Sequence, residues 1–212
     1  PSLSRRGIGK HSHLHMLSRP TSSLLDRFIP DPGMRHRHQT IVRAPAAFVL
    51  DTAWSLDLRS LPLVRAIFRL RALMLGAEGR GTDWSQGFVK ELLQMGWGVL
   101  AEEKGRWLVA GAVCQPWLAD VVMKPIPPDR FAEFCEPGQV KIVWTLEADP
   151  LDEDRCRFST ETRAVGTDAE AQAKFRRYYR RFGVGMVLVR LLLLPALRRE
   201  AERRWRALPS AR

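Results

Sequence analysis

The sequence predicts an α+β fold: a curved antiparallel β-sheet wrapped around a long C-terminal α-helix, with short helices after the first strand. Three observations carry this. Apolar residues spaced three and four apart run up to Met95, and past Gly96 they give way to alternation with period two. Two later runs alternate most cleanly, Gln139–Ala148 and Arg155–Val165. Beyond them Thr167 to Arg206 reads as helix. Its Phe175, Tyr178, Tyr179 and Phe182 form one aromatic stripe amid Lys174, Arg176, Arg177, Arg180 and Arg181.

Residues 1–22 are rich in Ser, Arg and His and lack apolar periodicity. With His11, His13 and His15 they are set aside as a tag-like extension. Residues 23–206 are then one domain and 207–212 a tail. Ser23 to Ile29 makes a helical turn with Leu24, Leu25 and Phe28 on one face. Met34 to Arg43 is a strand that turns Arg35, Arg37, Gln39 and Arg43 one way and His36, His38, Thr40 and Val42 the other. Arginines belong in water, so the histidines face inward.

Pro45 opens a short helix, Ala46 to Ser55. A second, Pro62 to Leu75, offers Leu63, Ile67, Leu70 and Met74 as its inward stripe and leaves Arg65, Arg69 and Arg71 solvated. Asp83 with Gln86 caps a third, Ser85 to Met95. Trp97 to Glu102 and Arg106 to Cys114 form a hairpin turned at Glu103-Lys104-Gly105, whose second strand is apolar on both faces. A short strand is read around Val121 to Lys124, and a helical turn at Pro128 to Phe134. In the next strand Val140, Ile142, Trp144 and Leu146 face the core, opposite Lys141, Thr145 and Glu147. In the last, Cys156, Phe158, Thr160, Thr162 and Ala164 face inward, and Arg157, Ser159, Glu161 and Arg163 pair outside with Lys141 or Glu147.

The terminal helix begins with a Thr167/Glu170 capping box and breaks once at Gly183–Gly185. Met186 to Leu194 is apolar all round except Arg190, which predicts deep cover. Glu200 with Arg204 and Glu202 with Arg206 stand at ion-pair spacing.

Charge narrows the function. Residues 1–45 carry net +6, residues 46–173 net −5 and residues 174–206 net +9. Positive charge sits at the two ends, which excludes a uniformly basic nucleic-acid binder. Cys114, Cys135 and Cys156 are odd in number and form no CxxC pair. Neither a disulfide framework nor a metal site is expected, and a cytoplasmic setting fits. Phe182 to Leu197 is too short to span a bilayer.

The order of elements, Val42-Arg43-Ala44-Pro45 with Trp54 at the end of the next helix, and Ser159-Thr160-Glu161-Thr162-Arg163-Ala164 resemble the START-like (SRPBCC, polyketide-cyclase-like) superfamily with its helix-grip fold. The resemblance covers roughly residues 24–206 and implies a cavity between sheet and helix for a lipid, polyketide or aromatic molecule. The residues placed there are His36, His38, Trp107, Trp144, Phe158, Thr160, Thr162, Phe175, Tyr179, Phe182 and Met186. Trp107 and Leu108 compete for the inward position on their strand. An apolar lining with a few polar atoms is what such pockets show. No catalytic triad is evident and no cofactor is implied. The alternatives are a cyclase or dehydratase using His36 or His38 as base, and a peripheral contact between the basic helix and an anionic membrane surface.

Overall fold

A computed structural model of the chain describes residues 24–56, 62–76 and 88–208. The described elements run β1 (Met34–Val42), α1 (Ala46–Trp54), α2 (Pro62–Met74), α3 (Phe88–Gln94), β2 (Gly98–Glu103), β3 (Trp107–Cys114), α4 (Pro128–Phe131), β4 (Val140–Pro150), β5 (Cys156–Gly166) and α5 (Ala169–Ala207). The strands form one antiparallel sheet in the order β1-β5-β4-β3-β2. The α+β architecture is the expected one, with α5 packed along β1, β5 and β4. The Asp83–Gln86 cap lies outside the described residues. The strand read around Val121 is a single bridge between Val113 and Lys124.

Turn chemistry explains the hairpin. Gly105 adopts φ +77°, a left-handed conformation that costs glycine little, and Arg106 N–H bonds back to the Glu103 carbonyl.

Where the sheet meets α5 the core has two apolar clusters. One gathers Val42, Val49, Leu50, Leu108, Trp144, Phe158 and Leu197 around α1. The other joins Met34, Val140, Ile142, Ala164, Phe175 and Tyr178 at the start of α5.

The outward face of the sheet departs from expectation. It is covered by Leu25, Phe28, Ile29 and Phe131, the Phe28 and Phe131 rings meeting edge to face. Burial of polar outward residues follows. Glu147 accepts a 2.9 Å hydrogen bond from Ser159, and Glu161 pairs with Arg163 at 2.8 Å and Arg35 at 2.8 Å. Arg163, only 2% exposed, also reaches Asp26 at 2.6 Å and the Ile29 carbonyl at 2.9 Å. Burial opposes its charge, but these hydrogen bonds hold its pKa above the usual arginine value. Lys141 stays out of this network and donates to the Ala132 carbonyl.

The terminal helix corrects four expectations. It is unbroken over 39 residues, through Gly183, Gly185 and Pro195. The glycines serve close packing: a Cβ on Gly183 would lie 2.8 Å from the Tyr179 ring, and one on Gly185 would lie 3.2 Å from Ile67 of α2. Pro195 is exposed, so the Leu191 carbonyl it leaves unpaired can meet water. The cap is Asp168, whose carboxylate accepts from Ala171 N–H at 2.7 Å, while Thr167 bonds Gln139 instead. The Glu200–Arg204 pair forms at 2.6 Å, but Glu202 pairs with Arg198 and Arg206 turns to the Glu202 carbonyl. Nor is the apolar middle deeply covered, for Val184, Leu188 and Leu191 are exposed.

Helix α2 is rotated from its predicted setting. Val64, rather than Leu63, is buried, and Arg71 points inward to the Tyr178 hydroxyl at 2.9 Å and the Pro116 carbonyl at 2.9 Å. Leu63, Leu70 and Met74 are exposed.

Candidate functional site

Between the two apolar clusters the inner face of β1 and β5 is polar. Strand pairing sets His36 beside Thr162 and His38 beside Thr160, and the His36–Thr162 row continues to Trp144, Ala110 and Val99. Period-two alternation puts both histidines on this face, and antiparallel register brings the threonines of β5 to them. The imidazoles stack with ring centres 6.5 Å apart.

Helix α5 closes the row from above. The Tyr179 hydroxyl pairs with Nε2 of His36. In the tautomer that carries its proton on Nδ1, His36 accepts here and the tyrosine O–H donates. Arg190, three turns further on, donates Nη2–H to the Thr162 hydroxyl at 2.5 Å and Nη1–H to the Met186 carbonyl at 3.0 Å. It forms no ion pair among the described residues, and the His38 Nε2 atom is buried without a hydrogen-bond partner there.

These groups act on one another. Burial lowers the pKa of His36 and His38, and the Arg190 guanidinium lowers both further. Burial raises the Tyr179 pKa and lowers that of Arg190 itself. Near neutral pH the site thus holds two uncharged imidazoles, a phenol and one guanidinium. It can donate hydrogen bonds to an acceptor or anion, and it can exchange a proton through the His36–Tyr179 pair. Among the described residues no group of three or more His, Cys, Asp or Glu comes together to hold a metal ion.

A concavity of about 390 Å³ adjoins the cluster, lined by Tyr179, Arg180, Gly183, Val184, Val187 and Leu188. It is an open groove along the flank of α5. Gly183 is buried, and its missing side chain leaves the room in which the Tyr179 ring lies.

Comparisons with known proteins add little to this geometry. No protein-family model matches the chain, and no curated protein does. A solved structure, the Zhui aromatase/cyclase from Streptomyces sp. R1128, aligns over 82% of this chain and 96% of its own, with 16% identity and a TM-score of 0.30. So loose a likeness carries no argument about the site.

The residues expected to line a pocket divide into three groups. His36, His38, Thr160, Thr162 and Tyr179 come together, with Met186 supplying a carbonyl to Arg190. Trp144 and Phe158 belong to one apolar cluster, and Phe175 and Phe182 to the other. Trp107 lies on the opposite face, packed with the outer cluster and donating Nε1–H to Glu103 at 2.9 Å. Its neighbour Leu108 takes the inward position, because a strand turns successive side chains to opposite faces.

Arg190 was missed. The signal was present: 175, 179, 182, 186 and 190 follow one helical stripe, so the lone charge in an apolar run falls on the inward face.

Proposed function

We propose that the chain is a START-like binding protein, with residues 23–206 as its working domain. Its ligand is a small, mainly apolar molecule with an acidic end group that meets Arg190 between the sheet and α5. The observation that carries this is Arg190, a half-buried guanidinium with no acidic partner among the described residues. Taking such a charge out of water is costly without a counter-charge, and a carboxylate on the ligand would supply one. Arginine has five N–H donors, and the two hydrogen bonds to Thr162 and Met186 leave others free for a bidentate contact. The unpartnered His38 Nε2 offers a further polar contact beside it.

The test compares dodecanoic acid with 1-dodecanol as displacers of a bound naphthalene dye. Charge-assisted hydrogen bonds are worth about 1.5–3 kcal/mol, so the acid should displace the dye at least about tenfold more tightly. Arg190→Leu should erase that preference while leaving the alcohol unchanged. If neither compound binds, the ligand-binding reading fails. If both bind equally to the native chain, the acidic end group fails.

A second reading rests on the His36–Tyr179 pair, a neutral imidazole hydrogen-bonded to a phenol, which suits proton transfer in a cyclisation or dehydration. A His36→Gln variant that turned over an identified substrate at the native rate would remove it.

A further inference from the structure

Two helices turn apolar side chains to solvent around one crossing point. Helices α2 and α5 meet where Gly185 faces Ile67. On α2, Leu63, Leu70 and Leu73 are 58%, 57% and 77% exposed, and with exposed Ala66 they follow one helical line. On α5, Val184, Leu188 and Leu191 are 70%, 44% and 53% exposed and share another. Leu63 and Leu70 lie about one turn either side of Ile67, and Val184 and Leu188 flank Gly185. A contiguous apolar patch of this kind marks an interaction surface.

Charge identifies the partner. The α5 line continues to Arg180 and Arg177 at one end and to Arg198 at the other, all exposed, and Arg69 is exposed on α2. Residues 62–75 hold three basic and no acidic residues, and residues 171–199 hold eight basic and none acidic. An apolar segment with arginines at both ends is the pattern of a helix lying in a lipid interface. No helix among the described residues is long and apolar enough to cross a membrane. A second copy of the chain fits less well, because a two-fold interface would set Arg177 and Arg180 against each other, and the acid at the far end, Glu202, is already paired with Arg198.

We propose that this face docks on an anionic lipid bilayer, with the exposed line of α5 parallel to the surface and its arginines among the headgroups. The groove beside α5 shares Arg180, Val184 and Leu188 with the face, so docking sets its mouth against the lipid.

The experiment sediments the full chain with sucrose-loaded vesicles of phosphatidylcholine, alone or with phosphatidylglycerol. Binding to the anionic vesicles should exceed binding to the neutral ones by about tenfold or more and should weaken as salt is raised. A Leu70→Glu/Leu188→Glu variant should lose binding to both. Arg177→Glu/Arg180→Glu should lose the anionic preference. All four side chains are exposed, so thermal melts should match the native chain. Equal binding to neutral and anionic vesicles, or undiminished binding by the leucine variant, overturns the proposal. So does a leucine variant that changes only the sedimentation coefficient, which would make the face a self-association surface.

Discussion

At the scale of the residue, burial and Arg190 act together on the histidines. Burial keeps the two imidazoles neutral, and the guanidinium under the sheet-facing side of α5 acts in the same direction. The consequence for pH has a definite sign. Unfolded histidines take up protons near their ordinary value of 6.5, whereas His36 and His38 resist until a lower pH. Between those limits the unfolded chain binds more protons, so stability falls as pH drops below about 6.5. Urea unfolding at pH 7.5 and pH 5.5 should show this loss, and a His36→Gln/His38→Gln variant should show less of it. The direction of the histidines was legible, because alternation along β1 leaves a strand only two faces. The meaning of Arg190 was not, because it depends on which β5 side chain stands opposite.

At the scale of the element, α5 gains its continuity from packing rather than propensity. Glycine in a helix interior costs about 1 kcal/mol relative to alanine, which favours a break when only the sequence is weighed. Contact reverses that judgement. The two glycines should therefore respond differently to alanine. At Gly185 the nearest atom is the Cγ2 branch methyl of Ile67 at 3.2 Å, held by a stiff β-branched rotamer, so Gly185→Ala should gain less than the about 1 kcal/mol of helix propensity. At Gly183 the new Cβ would strike the Tyr179 ring at 2.8 Å, and that ring is tied to His36. Gly183→Ala should forfeit the helical gain, displace Tyr179 and move the His36 titration measured by NMR. Helix α2 shows a second limit of the sequence. Arginines and leucines stand on every side of it, so two inward faces were open and only the partners Tyr178 and Pro116 chose between them.

At the scale of the whole molecule, sheet order and the grip on α5 were legible because alternating runs have few ways to pair. The outer layer was legible only at β3, whose two apolar faces both call for cover. Ser159, Glu161 and Arg163 look like a solvated face, and nothing local says that Asp26 and Ile29 will return to meet Arg163. The polar row between the two inner clusters has a thermodynamic consequence of its own. On β1 and β5 it keeps them apart, so damage to one should be felt little in the other. Leu50→Ala in the first and Phe175→Leu in the second should destabilise additively, to within about 0.5 kcal/mol, in urea titrations of the single and double variants. Trp97, which packs against both clusters and meets Trp144 edge to face at 6.0 Å, is the bridge where that independence should fail.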